Sequence, residues 1–346
     1  MKLTTLAEYR YLGNERETRL GVAKTLVKES PWLEDMPFKE LTDSDISRYK
    51  MEVSDGGASV HEVDDNWSTL NPTWEYREAG LAILGDNVTV DEFGKLAGGK
   101  EDAWSAALSL KSKGVAQTFN KLAVYGRTTS TGSLADSKNF KGLLRLIAEA
   151  ESSTTTDLDG WLYSGDDSSA HNKQVLMAAS GASAALTLGM LDALVDAVKP
   201  KPTHIIMSRL LRRKLKGLAE AAGNNLDISK NPRLGTVVTM YGEQRVVVDD
   251  QIKNNMNDSS GLVSAIASYD YEQAVNATAK DTSPIFAVRF AEDGLCGING
   301  AGMINVVNLG DLEGKDAKGK RIKFYCGMRL TNKTAAAVLM NANYAG

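Results

Sequence analysis

Apolar residues between positions 101 and 125 recur with helical spacing. Trp104, Leu108, Val115, Phe119 and Leu122 fall near multiples of three and four, so they share one side of a helix from about Glu101 to Tyr125. At ~1.5 Å per residue such a helix is roughly 37 Å long, a strut that spans a domain. Residues 126–138 hold almost no large apolar side chain and read as a Gly/Ser/Thr-rich tether. The tether delivers FKGLLRLIAEA, a short apolar run headed by Phe140-Lys141-Gly142, which resumes the fold and is expected to enter the domain's sheet.

Upstream, residues 1–45 read as an arm. Leu20, Ala23, Leu26 and Val27 make a short amphipathic pattern that Ser30-Pro31 stops, because the residue before proline is pushed out of the α region. Trp32, Leu33, Met36 and Phe38 follow around two prolines. Such anchors dock onto a surface, of the same subunit or of a neighbour. From residue 46 the period changes to two. Tyr49, Met51 and Val53 alternate with Arg48, Lys50 and Glu52, and Asp55-Gly56-Gly57 signals a tight hairpin turn. A return strand is expected through Val60 to Val63, and Trp74 and Tyr76 keep the alternation. Thr89-Val90-Asp91-Glu92 has the pattern of a capping box that opens the next helical element.

Residues 151–183 look loop-like, and from Thr187 the pattern becomes regular. Thr187 caps a helix with Leu188, Leu191, Leu194, Val195 and Val198 inward. Thr203–Met207 is a short buried strand, and Ser208 caps a second helix with Leu211, Leu215, Leu218 and Ala222 on one face, closed by Gly223. The β-rich TVVTMYGEQRVVVDD and SAIASYD follow. PIFAVRFA, GMINVVNLG and KRIKFYCGMRLTNKTAAAVLM then read as three further strands, the last long enough to return beside the strut. The whole is α+β.

Composition adds limits. The chain has 346 residues, 42% of them hydrophobic and 24% charged, which suits a folded protein of two or three units. No apolar run approaches the ~20 residues that span a bilayer, so no membrane role is expected. The N-terminus is polar, with acids among its bases, so no secretory signal is expected there. Cys296 and Cys326 form neither a disulfide framework nor a metal motif, and read as core fillers. The net charge of −4 is uneven: between Glu52 and Glu92 lie ten acids and one base, Arg77, leaving the remainder net positive. An acidic β excursion too thin for a core of its own should lie on something basic.

Catalytic chemistry is hard to place. His61, His171 and His204 have no metal-ligand spacing and no neighbouring nucleophile pattern. The glycines at 294, 297, 300 and 302 lead into a strand rather than a helix, so a glycine-rich strand turn is favoured over a phosphate loop. Asp43/Asp45 and Asp166/Asp167 lack the spacing of a calcium loop. No catalytic residue, cofactor or metal is therefore expected. The sharper pattern is Arg209, Arg212, Arg213 and Lys216 at i, i+3, i+4 and i+7, one basic stripe opposite the leucines. It is open to three readings: a solvated helix face, an acidic partner surface, or loose contact with nucleic acid.

The order of elements resembles the major capsid proteins of tailed bacteriophages, the Hong Kong 97-type fold. The resemblance rests on SPWLEDMPF in the arm, on Asn139-Phe140-Lys141-Gly142-Leu143, and on LTLGMLDALVDAV…PTHIIMSRLLRRKLKGLAEAAG. It implies an N-terminal arm at 1–45 and an extended E-loop at 46–88. A peripheral domain at 89–186 would carry the spine helix at about 99–126, with an axial domain at 187–283 and peripheral return strands at 284–346. It further implies pentamers and hexamers around double-stranded DNA in a virion assembled in the bacterial cytoplasm, with a portal, a separate scaffolding protein and a decoration protein as partners. The family's covalent crosslink is not expected from this loop, because no lysine lies between Met51 and Gly94. Residues expected at subunit contacts are Trp32, Phe38, Glu62, Asp64, Asp65, Arg77, Arg209, Arg212, Arg213 and Lys216, with Lys111, Lys113 and Lys121 on the strut. The alternatives are an encapsulin-like compartment, which resembles this fold with a helix in place of the arm and a shorter E-loop, and a nucleotide-handling α/β enzyme.

Overall fold

The computed structural model describes residues 4–5, 17–41, 45–54, 56–67, 69, 71–91, 103–126, 138–151, 174–178, 184–222, 227–230, 237–252 and 282–344. Most of the tether, most of 151–183, Gly223 and the SAIASYD segment lie outside them.

The strut is helix α3 (Ala103–Tyr125) in the chain-order series that begins with α1 (Glu17–Glu29) and α2 (Pro31–Asp35). Its apolar face is buried as the periodicity predicts. Phe119 is fully enclosed, with its ring centroid 5.7 Å from both Phe140 and Phe324. Helix α3 lies against a five-stranded sheet of β1 (Thr4–Thr5), β2 (Pro37–Leu41), β5 (Ala82–Asp91), β13 (Leu295–Asp311) and β14 (Ala317–Leu330). The order is β1-β2-β13-β14-β5, with β2 parallel to β13 and the other pairs antiparallel. At the C-terminal end of α3 the chain returns at a glycine pair. A Cβ on Gly142 would stand 2.5 Å from the Gly126 nitrogen, so only glycine allows this approach.

A second sheet holds β6 (Val175–Met177), β7 (Ala184–Ala185), β8 (His204–Met207), β9 (Asp227–Lys230), β10 (Val237–Tyr241), β11 (Gln244–Val248), β12 (Thr282–Val288) and β15 (Ala336–Asn343). Its order is β6-β15-β12-β8-β11-β10-β9, with β7 also on β15. Helices α5 (Leu188–Ala197) and α6 (Arg209–Ala221) pack on it through Leu191, Leu194, Leu211 and Leu215. The Thr187 and Ser208 hydroxyls accept from Met190 and Leu211 N–H as cap residues should.

Several expectations are corrected. No strand forms through Val60–Val63, so the hairpin of β3 (Ile46–Ser54) and β4 (Thr73–Gly80) carries a wide loop. Thr89–Asp91 cap nothing: they belong to β5, where pairing with β14 outweighs the local motif. The run after Phe140 is helix α4 (Leu143–Glu151) and not the entry to a sheet. Of the glycine run, Gly294 stands just before β13 and the other three lie inside it, Gly300 and Gly302 at an irregularity between Asn299 and Ile304 where Gly302 has φ +77°. The expected last long strand divides at Thr331–Ala335 into β14 and β15, which join different sheets. Strand β12 pairs with β8 and β15, and β15 with β6, so both belong to the second sheet and not to the one against α3.

Candidate functional site

The anchors of the arm turn inward. Helix α1 buries Val22, Ala23, Leu26 and Val27, and Ser30 then caps α2. Trp32 is fully buried, with Nε1–H donating to Asp249 Oδ2 at 2.7 Å, and Phe38 is 2% exposed against Gly297. Both were candidates for a neighbour's surface; both are enclosed by their own chain. Helix α2 is also held by charge: Glu34 and Asp35 meet Arg245, and His204 Nε2 lies 3.2 Å from Asp35.

Asp249 receives N–H donors from Trp32 and Gln251, yet burial pushes its carboxyl above the ordinary range, with Asp250 adding to the rise. A carboxyl raised in the folded state stabilises the fold below the ordinary carboxylate range and loses that contribution as pH rises through the folded value. Asp249→Asn is therefore expected to gain in stability relative to the native chain as pH rises from about 4 to 7. Denaturant unfolding at both ends of that range checks it; a pH-independent difference contradicts it.

Strands β3 and β4 form a two-stranded sheet of their own. Its root is pinned by charge. Arg77, the lone base of the acidic segment, is buried: it meets Glu75 at 2.8 Å and Glu149 at 3.7 Å, and donates to the Glu149 carbonyl at 2.7 Å. Glu149 also receives Lys141 and Arg145, each at 2.8 Å. Tyr49 is pushed up to about 12, by burial first and by Glu149 second, so its phenol stays neutral. Arg77 is thus an anchor within its own chain. Nothing local in the sequence could have found Glu149 as its partner, 72 residues away.

Away from the root the hairpin is bare. Val60, Val63 and Trp67 are 100%, 93% and 82% exposed, and Trp74 and Tyr76 are more than half exposed, with Lys50 Nζ lying over both of those rings. The loop keeps a shape all the same. His61 stacks on Trp67 at 4.4 Å, and the Asp65 carboxylate accepts from Glu62 N–H at 2.9 Å. Glu62, Asp64 and Asp65 all face solvent.

The basic stripe of α6 is partly neutralised by its own chain. Arg209 makes a two-pronged pair with Asp250 at 2.5 and 3.1 Å, and Lys216 reaches Glu220 at 3.6 Å. Arg212 and Arg213 are exposed. A groove of about 410 Å³ lies between α6 and Tyr344, lined by Leu210, Arg213, Lys214, Gly217 and Leu218. On the strut, Lys111 pairs with Asp86 and Lys113 with Glu29 at 3.4 Å. Among the described residues no group of three or more His, Cys, Asp or Glu side chains is arranged to hold a metal, and no helix is long and apolar enough to cross a membrane.

No family model and no curated protein sequence matches this chain. Solved structures do. The SrpI encapsulin of Synechococcus elongatus PCC 7942, from its holo complex, superposes with a TM-score of 0.61 over 100% of this chain and 98% of its own, at 15% identity. The capsid of the native GTA particle gives 0.54 over 95% and 92% at 12% identity, and a chain from Mycobacterium phage Bobi gives 0.53 over 90% of each at 13%. The fold is the Hong Kong 97-type capsid fold. At these identities the likeness is one of architecture. Among the described residues, most of the exposed large apolar side chains lie on the β3–β4 hairpin and its loop.

Proposed function

We propose that this chain is a shell-forming protein, the major capsid protein of a tailed bacteriophage, which assembles with copies of itself into pentamers and hexamers around double-stranded DNA. One observation carries the reading. The hairpin holds large apolar side chains in solvent, Trp74 and Tyr76 on β4 and Val60, Val63 and Trp67 in the loop, and among the described residues its two strands pair with no third. A lone two-stranded hairpin is marginal in water, and a monomer gains nothing from exposing Trp67 and Val63. A neighbouring subunit that covers the hairpin removes both costs. The likeness to shell proteins over nearly the whole chain supports the same conclusion. Cohesion is non-covalent on this reading, with scaffolding, portal and decoration proteins as further partners and the virion as the site of action.

An encapsulin-like compartment is the second reading. It is favoured by helix α1, which packs on α3 within the stretch expected to form an arm, and by the full-length superposition on an encapsulin. Expression of the chain with and without a candidate scaffold, followed by negative-stain microscopy and assay of purified particles for nucleic acid or protein cargo, separates the two. Closed shells with DNA are expected once packaging proteins are supplied. Shells that retain a protein cargo and exclude DNA favour the compartment, and a chain that stays monomeric in every condition overturns both.

A further inference from the structure

The bases of helix α6 have different fates on its two flanks. Arg209 pairs with Asp250 and Lys216 with Glu220, so one flank finds its carboxylates within the chain. On the other flank Leu210, Arg213, Lys214, Gly217 and Leu218 recur at i, i+3, i+4, i+7 and i+8. Among the described residues no carboxylate meets Arg213 or Lys214, and none lines the groove that this flank forms with Tyr344. Leu218 and Tyr344 both pack on the core beneath α6, so the two walls are fixed to the eight-stranded sheet before anything binds.

Gly217 opens the groove. Its φ is not positive, and a Cβ placed on it would meet nothing within 4 Å, so neither backbone nor packing requires glycine there. Glycine inside a helix costs stability relative to alanine; what its missing side chain leaves here is space between two leucines. The result is a slot with an apolar residue at each end and two bases between. Leu210 and Leu218 are eight residues apart, about 12 Å along the helix. An extended peptide covers that length in about four residues at ~3.3 Å each, and strand alternation turns its first, third and fifth side chains to the same side.

We propose that this groove binds a short acidic segment of a different protein in extended form. Apolar side chains four positions apart rest on Leu210 and on Leu218 with Tyr344, and a carboxylate midway meets Arg213 and Lys214. Burial of the apolar pair drives the contact, and the charges set its register. A nucleic-acid strand is served less well, because Tyr344 is the one aromatic ring among the lining residues and the leucines offer no hydrogen bond to a base edge. A slot two helical turns long also suits a short segment better than the broad contact of a stable dimer. The proposal does not rest on the shell reading.

Fluorescence anisotropy of the full-length chain with a labelled peptide tests this. One peptide carries two leucines four positions apart with three aspartates between them; a second has asparagines in place of the aspartates. The acidic peptide is expected to bind at least tenfold tighter than the asparagine peptide and to weaken as salt is raised. G217L is expected to fill the groove and lose at least tenfold in affinity while its melting temperature holds or rises, since leucine is the better helix former and its side chain enters open space. R213E/K214E is expected to lose the acidic peptide and leave the asparagine peptide unaffected. Equal binding of the two peptides, no binding of the acidic one, or binding that survives G217L each overturns the proposal. Tighter binding of a single-stranded oligonucleotide that G217L abolishes overturns it in favour of nucleic acid. A change of oligomeric state caused by G217L without peptide overturns it in favour of a contact between copies. Affinity for the peptide is read without reference to particle formation, so its failure and that of the shell reading are separate results.

Discussion

Trp32→Ala is expected to destabilise the subunit by ~3–5 kcal/mol, the usual range for emptying a large aromatic site in a core. The side chain is fully buried, its ring centroid lies 6.2 Å from that of Phe290, and its Nε1–H is one of two donors that hold the buried Asp249 carboxylate. Truncation opens a cavity where α2 meets the eight-stranded sheet and takes a donor from a carboxylate already disfavoured by burial. Against a typical total of ~5–15 kcal/mol, soluble yield should fall steeply. Trp32→Phe keeps most of the volume and loses only the donor, for ~1–3 kcal/mol. Urea unfolding of both variants checks the pair. A loss under ~1 kcal/mol for alanine would mean that another group closes the site.

Glu149→Ala is expected to cost ~3–5 kcal/mol, because removing one partner leaves the others as uncompensated buried charges. Arg77 and Arg145 are each about nine-tenths buried and Lys141 is partly so; all three converge on this carboxylate. The loss falls on the hairpin root. Limited proteolysis within residues 46–80 should therefore accelerate more than cleavage elsewhere, alongside the drop in unfolding free energy. Glu149→Gln keeps the carbonyl acceptor and should lose less. Cleavage that speeds up uniformly along the chain would show that Glu149 supports the fold at large and not the hairpin in particular.

How far the sequence was legible depended on the range of the interaction. Helices α3, α5 and α6 were visible because each carries a stripe on one face, and Thr187 and Ser208 announced their caps within three residues. Helix α4 was missed as a helix because its apolar run is short enough to suit either period. Thr89–Asp91 misled because a four-residue motif weighs less than the ladder to β14. The destinations of β12 and β15 were invisible, since their partners β8 and β6 lie far away in sequence. The same holds for the surfaces. An anchor such as Trp32 among prolines does not say whose core it fills, and a lone Arg77 in an acidic stretch looks solvated until Glu149 is brought to it.

The single-residue joint at Leu81 has a mechanical consequence. Because β4 runs on into β5, a pull on the tip is delivered along β5, whose ten residues from Ala82 to Asp91 are each matched to one in β14. The rungs are then loaded together, in shear, instead of being unzipped one after another. In a shell of such subunits, a load applied to the hairpin would therefore meet the whole β5–β14 ladder at once.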